Sequence, residues 1–133
     1  MTDRAFPVIF ASRVSATAEF YQWLGFTRHF QLPAEGEPGY VGLRRGAAEL
    51  AVVSVDWPRD QYHGVVGAGV RFEMFVYVAD VDATVAELRE RGRTILREPA
   101  DMPWGERVGY VTDPDGNPVA LASPASAAGS GPE

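Results

Sequence analysis

The sequence predicts an α+β fold made of two paired β-α-β-β-β modules. Three observations carry that prediction. The order strand, helix, three strands occurs twice along the 133 residues. A shift of 67 residues lays Val14 on Val81, Ala16 on Ala83, Thr17 on Thr84 and Gly25 on Gly92. Each predicted helix stops at the glycine of that last pair, where a residue free to turn left-handed is favoured. A duplicated unit of this size can bury a shared apolar face between its halves.

Taken in order, "FPVIFA" (6–11) is a short apolar strand. "SATAEFYQWLG" (15–25) is a helix, with Ser15 as its cap and Ala18, Phe20, Tyr21 and Leu24 as its apolar face. "FTRHFQLP" (26–33) alternates as a strand does. "AEGEP" (34–38) is a loop, and "GYVGLRR" and "AAELAVVSV" flank Gly46 as a hairpin. This first module spans 1–55, and the polar, Gly-containing stretch 56–69 reads as a linker. The second module, 70–123, opens with "VRFEMFVYVA", rich in β-branched and aromatic residues. "DVDATVAELRERG" (80–92) is its helix, capped by Asp80 or Asp82, with Val81, Val85 and Leu88 on one face. "RTILREPA" (93–100) is a strand, and "ERVGYVT" and "NPVALAS" pair around the turn "DPDG". Asp113 and Asp115 are read as exposed turn residues. The tail 124–133 is low-complexity and is expected to be disordered.

Composition narrows the function. Hydrophobic residues make up 46% of the chain, enough for a globular core. The absence of cysteine excludes disulfides, thiolate metal ligands and a cysteine nucleophile, and fits a reducing compartment. Net charge is −6 and the 12 basic residues are all Arg, scattered apart from "RERGR" at 89–93, so no nucleic-acid footprint is present. No apolar run approaches the roughly 20 residues of a membrane span, and "MTDRAFPVIFASRV" lacks the long apolar segment of a signal peptide. The expectation is a cytoplasmic protein with neither nucleic acid nor membrane as partner. No Ser-His-Asp arrangement, phosphate loop or dinucleotide fingerprint is visible.

"FYQWLGF" closing the first helix, "VADVDATVAEL" opening the second and "PWGERVGYVTDPDGNPVALAS" near the end together resemble the vicinal oxygen chelate superfamily. This is the glyoxalase, bleomycin-resistance and extradiol-dioxygenase group. The resemblance covers about residues 6–123 and implies that the modules form a curved mixed sheet around a cavity. It also implies a homodimer. In family enzymes each module supplies two metal ligands, one early on its first strand and a Glu on its last strand.

Carried onto this chain, the early positions are Phe6 and, 67 residues on, Glu73. The late position of the second module, in a "DPDGN-x-x-E" pattern, is Ala120. Its counterpart lies within "LAVV", 50–53, with Glu49 read as turned to the opposite face. One carboxylate does not make a selective divalent site, so no metal, cofactor or catalytic residue is expected. Aromatics gather around the emptied positions. Phe6, Val8 and Phe10 share one face, as do Glu73, Phe75 and Tyr77, while Trp104 shares parity with Tyr110 and lies near Met102. The expected ligand-binding residues are Phe6, Trp57, Glu73, Phe75, Met102, Trp104, Tyr110 and Ala120, with Arg107 as a further polar group. Ala120 is expected to make room for the guest. His29 and His63 are read as structural or surface residues.

The function implied is metal-independent binding, with sequestration as one use, of a hydrophobic or aromatic small molecule, as in the bleomycin-resistance branch. Two alternatives stay open: a glyoxalase- or dioxygenase-like metalloenzyme, and a metal-free isomerase using Glu73 as base.

Overall fold

The computed structural model describes residues 4–125. The chain divides into two compact units, Met1–Ala68 and Gly69–Glu133. The mixed sheet expected of the two modules is realised as two four-stranded sheets, one in each unit.

The first unit runs β1 (Val8–Ala11), α1 (Val14–Trp23), β2 (Thr27–Leu32), β3 (Tyr40–Arg45) and β4 (Ala48–Ser54). Its strand order is β1-β4-β3-β2, with β1 parallel to β4 and the other pairs antiparallel. Helix α1 buries Val14, Thr17, Ala18, Phe20 and Tyr21. Strand residues Ile9, Val41, Leu43, Leu50 and Val52 are buried with it. The helix begins at Val14 with Arg13 at its cap and no capping side chain, so Ser15 is not the cap. It lies inside the first turn. Gly25 takes φ +105° directly after the helix, a conformation that costs other residues a Cβ clash.

Within the segment read as a linker lies a short helix, α2 (Trp57–Tyr62), with a proline in its first turn and left-handed His63 at its end.

The second unit runs β5 (Met74–Tyr77), α3 (Val81–Glu90), β6 (Ile95–Asp101), β7 (Glu106–Thr112) and β8 (Pro118–Pro124). Its strand order, β5-β8-β7-β6, repeats that of the first unit. Asp80 is the cap of α3, its Oδ1 accepting from the Ala83 N–H at 3.0 Å. Val81, Val85 and Leu88 are buried, as their spacing predicts. Asp113 is not an exposed turn residue. It is 2% exposed, and its Oδ1 accepts from the N–H groups of Asp115 and Asn117 at 2.9 Å each. The turn needs that carboxylate to satisfy its own backbone donors. Of the tail, residues 126–133 lie outside the described residues. Among the described residues no helix is long and apolar enough to cross a membrane.

Candidate functional site

Strand register decides which side chains share the face turned away from each helix. In the second unit Phe75 pairs with Ala120, and Ala120 with Tyr110. In the first unit Val8 pairs with Ala51, Ala51 with Gly42, and Gly42 with Phe30. Val8 and Phe75 stand 67 residues apart, so Ala51 is the counterpart of Ala120. The position left open within 50–53 is therefore Ala51. Glu49 is two residues from it and shares its face, because strand side chains alternate with period two. The expectation that Glu49 points the other way is corrected.

The two rows differ in volume. The second unit fills its row: Met102 and Tyr110 pack on a buried cluster of Val108, Ala120 and Ala122. Ala120 is 0% exposed beneath these neighbours, and its counterpart Ala51 is likewise 0% exposed, so the difference between the units lies at the neighbouring strand. The first unit has Gly42 where the second has Tyr110, and there a cavity of about 320 Å³ opens. Arg4, Phe6, His29, Phe30, Tyr40, Gly42, Glu49 and Leu50 line it.

The aromatic walls of this cavity are braced. Phe30 meets Tyr40 edge-on at 5.7 Å between ring centroids, and Trp57 lies against Tyr40 at 5.5 Å. At the polar end, Arg4 donates to both Glu49 oxygens, Nε to Oε2 and Nη2 to Oε1, each at 2.8 Å. That fork holds the Glu49 carboxyl below the usual carboxylate range, against the opposing effect of desolvation. The Arg4 guanidinium also sits 5.1 Å from the Phe6 ring centroid. His29 reaches the cavity through a β-bulge. Arg28 pairs with Leu43 and Phe30 with Gly42, which leaves His29 as the extra residue. Arg28 turns back to Gln22 on α1, while the His29 ring lies over Gly42, where an added Cβ would stand 3.1 Å from Nε2.

The predicted residues thus fall into two groups. Phe6 lines the cavity of the first unit, and Trp57 braces its wall. Phe75, Met102, Tyr110 and Ala120 gather on the sheet of the second unit. There Phe75 and Tyr77 pack at 5.5 Å between centroids and remain 42% and 52% exposed. Trp104 joins them through Glu106, which accepts from the Tyr77 hydroxyl at 2.6 Å and from Trp104 Nε1 at 2.8 Å. The Glu106 hydrogen bond raises the Tyr77 phenol above its usual range. Glu73 is exposed, one residue before β5. Arg71 and Arg107 pair elsewhere, Arg71 with Asp115 and Arg107 with Asp82 and Asp101. Arg107 is therefore committed to α3 and β6, which corrects its expected part in orienting a guest. Sequence reasoning missed Arg4, His29, Phe30, Tyr40, Gly42, Glu49 and Leu50. Alternation could have found Tyr40 and Gly42, but nothing in the sequence marks the bulge.

No obvious metal site is present among the described residues. The family's four ligand positions read Phe6, Ala51, Glu73 and Ala120, which offers a single donor. Among the described residues no three His, Cys, Asp or Glu side chains converge as a metal group.

A model of the "Glyoxalase/Bleomycin resistance protein/Dioxygenase superfamily" matches residues 5–121. A crystal structure of a member of that superfamily from Sphaerobacter thermophilus DSM 20745 is 26% identical, covers 92% of this chain and 97% of that one, and superposes with a TM-score of 0.70. A family enzyme from Burkholderia phytofirmans PsJN is 20% identical over 88% of this chain and 94% of that one, with a TM-score of 0.75. A lactoylglutathione lyase from Agrobacterium tumefaciens is 18% identical over 91% and 93%, with a TM-score of 0.66. At these last two identities the likeness is one of fold. No curated protein sequence matches the chain.

Proposed function

The chain belongs to the glyoxalase/bleomycin resistance protein/dioxygenase superfamily, and from that premise we propose that it binds a hydrophobic or aromatic small molecule without a metal, in the manner of the bleomycin-resistance branch. One observation carries the reading: the metal-ligand positions hold Phe6, Ala51 and Ala120 while an aromatic-walled cavity of about 320 Å³ opens beside Phe6. Binding of this kind stabilises no transition state, so sequestration needs affinity and abundance alone. A two-ring guest losing about 200 Å² of apolar surface gains about 5 kcal/mol at about 25 cal/mol per Å². Ring stacking adds about 0.5–1.5 kcal/mol, and association costs subtract from both. Because that cost is about 4 kcal/mol or more, simple probes bind weakly, and larger guests that bury more surface bind more tightly. The predicted residues of the second unit, Phe75, Met102, Trp104 and Tyr110, belong to this proposal as further contacts, as does a homodimer.

The test is a titration with planar aromatic compounds, followed by tryptophan quenching, before and after exhaustive chelation. Binding that is unchanged by chelator and weakened by Tyr40→Ala supports the reading. Binding that demands added metal, or none to any aromatic probe, overturns it.

A further inference from the structure

At the polar end of the cavity two side chains face each other without bonding. His29 Nε2 stands 3.8 Å from Glu49 Oε1, beyond hydrogen-bond reach. Glu49 is ionised and accepts only, since Arg4 holds its carboxyl low. The imidazole edge nearest it carries a nitrogen whose N–H can donate. The bulge turns that edge to the cavity and Gly42 leaves room for it, since a Cβ at position 42 would stand only 3.1 Å from Nε2.

With the proton on Nε2, the tautomer that a facing carboxylate favours, an atom seated about 2.8 Å from both accepts from the imidazole and donates to the carboxylate. A hydroxyl does both with one oxygen. A carboxylate cannot donate, an ammonium cannot accept, and an ether lacks the proton. The aromatic walls Phe6, Phe30 and Tyr40 then select the body that carries it. We propose that this cavity takes a hydroxylated aromatic ring, its phenolic oxygen bridging His29 Nε2 and Glu49 Oε1. This rests on the reading of the cavity as a metal-free aromatic site and names the polar group that site recognises.

The experiment titrates the full chain with 2-naphthol and with 2-methoxynaphthalene by calorimetry at neutral pH. The two probes share a ring system and differ in the hydroxyl proton. Hydrogen bonds to a charged group predict a preference of about tenfold or more for 2-naphthol. His29→Phe keeps an aromatic wall but removes the donor, and it brings the ratio towards one while 2-methoxynaphthalene still binds. Glu49→Gln, followed in parallel, shrinks the ratio by weakening the acceptor. Equal affinity of the wild type for both probes overturns the hydroxyl proposal and leaves aromatic binding standing. A preference that survives intact in folded His29→Phe also overturns it. Binding of neither probe at millimolar concentration overturns both readings.

Discussion

Placing a carboxylate at Ala120, as Ala120→Glu does, separates a closed row from an open pocket. Ala120 is 0% exposed and packed beneath Met102 and Tyr110. The added side chain overfills that place, at a cost of about 1–3 kcal/mol. Its charge adds a second cost. A fully buried Glu is driven to a pKa of about 8 or more, against about 4.3 unfolded, and each unit is about 1.4 kcal/mol. Above about pH 8 the charge therefore costs about 5 kcal/mol, and the whole substitution about 6–8. That approaches the total stability of a typical domain, about 5–15 kcal/mol. The sign with pH follows from linkage. Between the two pKa values the folded state holds the proton that the unfolded state has lost, so stability falls as pH rises. Near pH 5 the charge costs only about 1 kcal/mol, so the variant loses about 4 kcal/mol more than the wild type between pH 5 and pH 8. Urea unfolding of wild type, Ala120→Glu and Ala120→Gln at both pH values measures this. The Gln variant reports packing together with the burial of a neutral amide, without the charge, and is expected to be flat with pH. A Glu variant that loses less than about 1 kcal/mol at either pH refutes the reasoning, because Ala120 then faces a space wet enough to solvate a carboxylate.

Other substitutions probe the remaining assignments. Asp113→Ala strands one buried and one part-buried N–H group of the turn and is expected to cost about 1–3 kcal/mol in urea unfolding, with Asp113→Asn losing less because it keeps one acceptor. Wild-type behaviour in both would remove Asp113 from the turn's framework. Because Arg4 lowers the Glu49 pKa in the folded state, the pair stabilises the fold above the ordinary carboxylate range, and this is lost as pH falls through the folded value. Glu49→Gln should flatten the acid limb of a melting-temperature profile, and superimposable acid limbs would count against the pairing. Glu106 raises the Tyr77 phenol, so one tyrosine should ionise late in an ultraviolet titration. Glu106→Gln should return it to the ordinary range, and an unchanged curve would dissolve that hydrogen bond.

Element order was legible because each helix and strand carries its own period, and the two buried faces follow from it. Val81, Val85 and Leu88 are buried as spaced, and Phe75 and Tyr77 share a face as alternation requires. The site was legible only in part. Phe6 was singled out because the resemblance puts the early ligand position there, two residues before β1 begins at Val8. His29 was lost because one extra residue in β2 moves it across the sheet plane, and a bulge leaves no compositional mark when the surrounding residues stay polar and aromatic. Glu49 was lost to an unsettled register, which only pairing with β1 decides. The larger lesson lies in the duplication itself. Both units keep a small residue at the emptied late position, Ala51 and Ala120, and sequence alone treats the two as equal vacancies. What separates them is the cross-strand neighbour, Gly42 in one and Tyr110 in the other. Both alanines are 0% exposed, and the space in the first unit opens over Gly42 itself, since cross-strand side chains stand about 5 Å apart and fill one another's space. Gly42→Tyr should therefore close the first unit's cavity and abolish aromatic binding, whereas Tyr110→Gly should open a second hollow above Ala120.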